Sequence, residues 1–163
     1  MVSSVFEDDL GSFDDTQWLL FDINNGSLRD YNTIKSQNLV EPGKGFLLIV
    51  NKSDIVVDGG SGSSSNVSTF SQLQLDAGWT LIGNPFDFDI PLNNLSVNGE
   101  IPEAWYLSNS GWQNNPTHLK KWEGLAIRTT NAAVLNIIPA EGEGTIISVA
   151  DQFNEDNWGI QLI

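Results

Sequence analysis

Apolar residues in this chain come in short runs separated by turn-forming clusters. Trp18-Leu19-Leu20-Phe21 ends at Asn24-Asn25-Gly26, Glu41-Pro42-Gly43-Lys44 leads into Gly45-Phe46-Leu47-Leu48-Ile49-Val50, and Ile55-Val56-Val57 is a shorter run. Further runs cover Phe70 to Leu75, Gly78 to Gly83 closed by Asn84-Pro85, Ala104 to Leu107, Leu125 to Arg128, Ala133 to Ile138, Gly144 to Val149 and Trp158 to Ile163. Many short β-rich segments with turn signals between them predict an all-β fold, an antiparallel β-sandwich or barrel-like structure. At most two short helices fit the pattern. Ser3 to Leu10 has Ser3 or Ser4 as a cap and Glu7 at capping-box spacing from Ser4; Leu92 to Val97 is the second.

The order of elements repeats. Trp18, Asn25-Gly26, Tyr31, Leu39 and the strand led by Gly45 align with Trp105-Tyr106, Ser110-Gly111-Trp112, Leu119 and the strand led by Gly124. The matched positions lie 87 (Trp18 to Trp105), 85 (Gly26 to Gly111) and 79 (Gly45 to Gly124) residues apart, so the loops differ in length. This predicts one β domain over 1–163 built from two related halves: 1–57, then a Gly/Ser loop over 58–69, then 70–139, with 140–163 starting a further β segment. The second half is introduced by Gly78-Trp79-Thr80-Leu81-Ile82-Gly83, whose counterpart in the first half falls before Met1. The expectation is a chain cut from a longer protein, with an open sheet edge in its first half. Trp18 and Trp105, as matched positions, are expected in the core, and Trp79 with them.

Charge narrows the partners. Twenty-one acidic against seven basic residues give a net charge of −14, which repels phosphate backbones and anionic lipid heads, so nucleic acid is excluded as a partner. A neutral partner such as a glycan or a protein, or a cationic one, fits. With no cysteine, disulfides, thiolate catalysis and Cys-zinc sites are excluded. No apolar run approaches the roughly 20 residues of a helical membrane span, so membrane insertion is not expected.

Catalytic constellations are sparse. His118, the single histidine, sits in Asn114-Asn115-Pro116-Thr117-His118 without a Gly-x-Ser-x-Gly elbow and reads as an exposed loop residue. The pairs Asp8-Asp9, Asp14-Asp15 and Asp87/Asp89 are the only candidates for glycosidase-like carboxylates, and hydrolysis is the least favoured class. No catalytic residue and no cofactor are assigned. Calcium is the one ion the sequence admits. Asp22, Asn24 and Asp30 form one oxygen-rich loop, which lacks EF-hand order, and Asp151 and Asp156 belong to another; Asx-turns are the favoured reading of each, with calcium the alternative.

Aromatic residues are the remaining binding candidates, because a Trp or Tyr face stacks on a sugar ring with amides to hydrogen-bond its hydroxyls. Trp112, with Gln113 and Asn114, follows a turn glycine; Tyr106 neighbours Trp105 on opposite strand faces; Trp122 precedes Glu123-Gly124. Trp112, Tyr106, Trp122, Asn114 and Gln113 therefore make up the candidate carbohydrate platform.

Three segments taken in order carry a family resemblance: Ser4-Val5-Phe6-Glu7-Asp8-Asp9-Leu10-Gly11 with Trp18-Leu19-Leu20-Phe21, Glu41-Pro42-Gly43-Lys44-Gly45-Phe46, and Gly78-Trp79-Thr80-Leu81-Ile82-Gly83-Asn84-Pro85-Phe86. The series resembles β-rich modules in large secreted and surface proteins of Bacteroidota and similar bacteria, many of which end in a type IX secretion sorting domain. The resemblance implies an extracellular or cell-surface location and a modular parent protein whose other domains are partners, and it supplies no catalytic residue. The function expected is a non-catalytic module for structural spacing or protein contact. The alternative is a carbohydrate-binding module.

Overall fold

The computed structural model describes residues 2–37, 39–51, 57, 65–68 and 71–139. Over these the chain runs α1 (Val2–Leu10), β1 (Trp18–Asn24), β2 (Ser27–Asp30), α2 (Tyr31–Gln37), β3 (Leu47–Val50), β4 (Ser71–Leu75), β5 (Gly78–Gly83), β6 (Ile90–Pro91), a 3₁₀ turn (Leu92–Asn94), β7 (Leu95–Val97), β8 (Ala104–Ser108), β9 (Gly111–Asn114), β10 (His118–Leu119), β11 (Gly124–Thr129) and β12 (Ala133–Ile137). Every strand pairing among the described residues is antiparallel, so the molecule is the all-β, sandwich-like fold expected, with two short helices. The expected strands at Ile55-Val56, Gly144–Val149 and Trp158–Ile163, the residue Phe70 and most of the Gly/Ser loop lie outside the described residues.

Of the two expected helices, the first forms as α1. The second is corrected: Leu92–Asn94 makes only a 3₁₀ turn, and Leu95–Val97 is the strand β7, paired to β12 through Ile137↔Leu95 and Leu135↔Val97. Six residues are too few for a stable isolated helix, and the sheet takes Leu95 into the core instead. The helix α2 was not foreseen. Its signals are local: the Asp30 carboxylate accepts the Thr33 backbone N–H at 3.0 Å as an N-cap, and Tyr31 and Ile34, three apart, are both buried.

Three sheets organise the chain. The N-terminal sheet has the order β2-β1-β3, the central sheet β5-β11-β8-β9 and the backing sheet β4-β12-β7, with the short pair β10-β6 beside them. The central and backing sheets enclose one core, built from Leu73, Ile82, Leu95, Ile127, Leu135 and Ile137 among others. A second core lies on one face of the N-terminal sheet, where Trp18 and Leu20 meet Phe6, Tyr31 and Ile34 of the two helices. Trp18, Phe13 and Tyr31 pack ring on ring at 4.7 to 5.0 Å. Glu7 ties the helices together by accepting the Tyr31 hydroxyl at 2.6 Å and pairing with Lys35 at 2.9 Å. The two halves thus have separate cores, one covered by helices and one by a sheet.

Strand order recurs between the halves: β2-β1-β3 runs as β9-β8-β11 does, each hairpin closed by a two-residue loop. The register corrects the alignment. The hairpin pairs Phe21↔Asp30 and Asn24↔Ser27 correspond to Trp105↔Asn114 and Ser108↔Gly111, a constant shift of 84, and Leu47, paired to Phe21, corresponds to Ala126, paired to Trp105. Phe21, not Trp18, is therefore the counterpart of Trp105. Trp18 is 2% exposed in the core, whereas Trp105 lies on the opposite sheet face and is only half-buried.

The halves join at β5. Gly45 N–H donates to Leu81 O at 3.2 Å and Gly83 N–H to Gly43 O at 2.8 Å, with Lys44 bridged to Ile82. On the other edge of β5, Gly124 pairs with Gly83. A Cβ on Gly45 would stand 2.4 Å from Ile82 O, and one on Gly124 3.0 Å from the same atom. Both glycines that lead the repeated strands flank one carbonyl of β5, which leaves no room for a side chain at Gly45 and a tight fit at Gly124.

Candidate functional site

Side chains directly opposite in a sheet share a face, so the ladders sort the central sheet into two faces. The pairs Arg128↔Trp79, Ala126↔Leu81, Ala126↔Trp105, Trp105↔Asn114 and Leu107↔Trp112 put these residues on the face turned away from the backing sheet. The other face carries the core residues Ile82, Ala104, Leu125 and Ile127. On the N-terminal sheet the same logic puts Leu19, Phe21, Ile23, Leu28, Leu47 and Ile49 on the face away from the helices.

These two outward faces meet. Trp79, Trp105, Trp112 and Ala126 of the central sheet and Ile23 of β1 line a groove of about 340 Å³. Trp79 and Trp105 stand edge-to-face at 6.3 Å. The Trp105 indole N–H is buried and has no hydrogen-bond partner among the described residues. Leu107 at 50% and Trp112 at 44% exposure continue the apolar surface beyond the groove. A second groove of about 280 Å³ begins at Trp112 and Leu107 and reaches Leu81, Phe46, Leu47 and Leu48. Trp112 lines both, so it forms the partition of one cleft between the halves. Large apolar side chains held open to solvent in a concave surface mark an interaction site.

The sequence-predicted residues separate here. Trp112 and Asn114 stand on the cleft side, Asn114 directly opposite Trp105. Tyr106 and Gln113 pair with each other on the other face, where Tyr106 packs against the buried core, yet Tyr106 also lines the second groove beside Trp112; its neighbour Trp105 lines the first. Trp79 and Trp105, expected in the core, are cleft-lining. Trp122 is not among the groove residues. It sits in the turn before β11, 78% exposed, with φ of 63° and Lys121 Nζ 5.7 Å from its ring centre; under the 79-residue shift of that strand its counterpart is Gly43, at φ 84°. The alternation of Trp105 with Tyr106 announces that one of them faces outward, but apolar residues on both faces leave the choice to packing.

The remaining candidates have structural partners. Asp22 is 4% exposed and its two oxygens receive Arg29, Nε at 2.8 Å from Oδ1 and Nη2 against Oδ2. That pairing raises the Arg29 pKa, the Asp22 hydrogen bond being the largest cause. Asp30 caps α2, and the Thr33 backbone N–H holds its carboxyl below the ordinary range. Asp22, Asn24 and Asp30 are therefore a salt bridge, a hairpin end and a helix cap rather than one oxygen cage, and among the described residues no group of three or more His, Cys, Asp or Glu is placed to hold a metal. Asp151 and Asp156 lie outside the described residues. His118 is an exposed residue of β10 with Thr117 Oγ1 at 3.0 Å from Nδ1. Asp87 pairs with the Lys121 ammonium and Asp89 accepts the Lys121 backbone N–H at 2.8 Å, so both anchor the turn that carries Trp122. Asp14 caps the turn before β1 by accepting Thr16 N–H at 2.9 Å and its hydroxyl at 2.7 Å.

No protein-family model, curated protein or solved structure matches this chain. No helix among the described residues is long and apolar enough to cross a membrane.

Proposed function

We propose that this chain is a non-catalytic protein-contact module, acting in a larger extracellular or surface protein, and that the tryptophan-lined cleft between its halves is the contact site. The observation that carries the reading is the convergence of Trp79, Trp105 and Trp112 on one outward face, joined by Ile23 from the other sheet. Tryptophan is enriched among residues that dominate protein interfaces, where it buries a large area with little loss of side-chain freedom. The lining favours polypeptide over sugar. All five groove side chains are hydrophobic, and ring hydroxyls placed against them would lose water without gaining partners, at about 1–3 kcal/mol each. The −14 net charge favours neutral or basic segments. The pairing of Asp22 with Arg29 and of Asp87 with Lys121, and the bond of Asp89 to a backbone N–H, support a non-catalytic reading.

A second reading has its own observation: Asn114 stands opposite Trp105 and beside exposed Trp112, an amide next to two indoles, as a carbohydrate platform requires. One experiment separates the two. The intact chain is screened against a display library of random twelve-residue peptides and, by affinity electrophoresis, against soluble polysaccharides. The protein-contact reading expects selected apolar peptides whose affinity falls tenfold or more, about 1.4 kcal/mol, with Trp112→Ala. Retardation by a polysaccharide that Trp112→Ala abolishes would install the glycan reading instead.

A further inference from the structure

We propose that the edge of β3 facing away from β1 accepts an antiparallel apolar strand from another polypeptide, so that the module binds by extending its N-terminal sheet. The inference rests on the reading of the cleft as a protein-contact site and names the mode of contact.

The repeat identifies the edge. β11 is the counterpart of β3; it pairs with β8 on one side and, on the other, with all six residues of β5, from Gly124↔Gly83 to Thr129↔Gly78. β3 pairs with β1 on the matching side, and among the described residues no strand pairs with its other edge. Backbone direction agrees. The Asn51 N–H bonds Gln17 O at 2.8 Å, extending the β1–β3 ladder. Since hydrogen-bonding direction alternates along a strand, Leu47 and Ile49 address β1 while the N–H and C=O of Leu48 and Val50 point outward.

The composition of β3 is that of a covered strand. Exposed edges are normally blunted by lysine, proline or a bulge, because bare edge backbone recruits other strands. Leu47-Leu48-Ile49-Val50 has none of these, and Ile49 is 48% exposed. The second groove adjoins the start of this strand: Leu47 and Leu48 line it together with Leu81, Leu107 and Trp112, Leu47 being on the outward face. An added strand would lie about 4.8 Å from β3 and place alternate side chains over that apolar wall. The occupant's chemistry follows from the strand that β11 accepts: an extended, proline-free apolar run like Gly-Trp-Thr-Leu-Ile-Gly, here on a separate chain and flanked by Lys or Arg to suit the −14 charge.

The test follows the amides of the intact chain by NMR hydrogen exchange, alone and with a synthetic peptide copying residues 77–84, with lysines added at its ends. In the chain alone, Leu48 and Val50 N–H exchange freely while Leu47 and Ile49 are protected. The peptide slows Leu48 and Val50 by about tenfold or more; a scrambled peptide, or one N-methylated at alternate residues, does not. Protection of Leu48 and Val50 in the dilute chain alone would overturn the proposal, because the edge is then already covered. So would protection that appears only as the chain self-associates, which makes a second copy the occupant. Peptide binding that leaves both amides fast overturns strand addition and spares the contact reading. Slowed amides with binding unchanged by Trp112→Ala keep the edge and remove the cleft.

Discussion

Gly45→Ala probes the joint between the halves. The residue is not in the left-handed region, so alanine meets no backbone objection of its own and the effect is steric. Its Cβ would stand 2.4, 2.6 and 2.9 Å from the Ile82 carbonyl oxygen, carbonyl carbon and amide nitrogen, all main-chain atoms of a buried strand that cannot rotate aside. Relief requires the 43–45 segment to move about 1 Å off β5, which stretches Gly45 N–H to Leu81 O, already 3.2 Å, and Gly83 N–H to Gly43 O, 2.8 Å. Two hydrogen bonds at about 1 kcal/mol each, with a packing penalty of about 1–3 kcal/mol, come to roughly 3 kcal/mol after the entropy that alanine removes from the unfolded chain. For a chain of this size that lowers Tm by about 5–12 °C. Gly124→Ala, 3.0 Å from the same oxygen only, costs about 1 kcal/mol. Gly43→Ala meets nothing within 4 Å but sits at φ 84°, and costs about 1–2 kcal/mol through backbone strain. Urea unfolding followed by far-UV circular dichroism ranks the three. Gly45→Ala within 0.5 kcal/mol of the parent chain, or a larger loss from Gly124→Ala, would refute the reasoning, since the first allows only the error of such measurements.

Other outcomes follow from particular side chains. Trp18→Ala, removing a core side chain 2% exposed, destabilises the chain by about 3–5 kcal/mol, whereas Trp112→Ala, at 44% exposure, changes stability by under about 1 kcal/mol; a reversal of that order in urea melts would contradict the face assignment. Asp30→Ala removes the cap of α2 and costs about 0.5–2 kcal/mol, which Asp30→Asn largely avoids, and circular dichroism melts read both. The Glu7 carboxyl is held below its ordinary pKa, first by the Tyr31 hydroxyl and then by Lys35. A depressed folded-state pKa means stabilisation present above the unfolded value and lost as pH falls through the folded one, so the helices loosen on acidification through and below the carboxylate range. Glu7→Gln should flatten that part of the stability–pH curve, and an unchanged acid limb would show that Glu7 carries none of it.

Strand identity was legible because the apolar runs are short and bounded by turn chemistry. Asn25-Gly26, both at positive φ, close one hairpin where an Asn-Gly pair announces it. The α2 helix was hidden because only two of its residues are buried, and its cap Asp30 also reads as a turn residue. The cleft was half legible. Trp112 and Asn114 could be picked from the hairpin, but Trp105 read as core because it aligned with Trp18, and Trp79 because it leads an apolar strand.

The sequence by itself determined the class of fold, the recurring order of aromatic strand, glycine turn and Gly-led strand, and the exclusion of cysteine chemistry, because these depend on local pattern and composition. Tertiary structure decided which face of each strand is inside. Alternation separates Trp105 from Tyr106 but cannot orient them when both faces are apolar; the backing sheet does so by covering Ala104, Leu125 and Ile127. It also decided the true register of the repeat, since hydrogen-bonded ladders align Phe21 with Trp105 where side-chain likeness pairs the two tryptophans. The joint at Gly45 and Ile82 is likewise a property of two distant segments meeting, which brings Ile23 to the tryptophans and makes one cleft of two sheets.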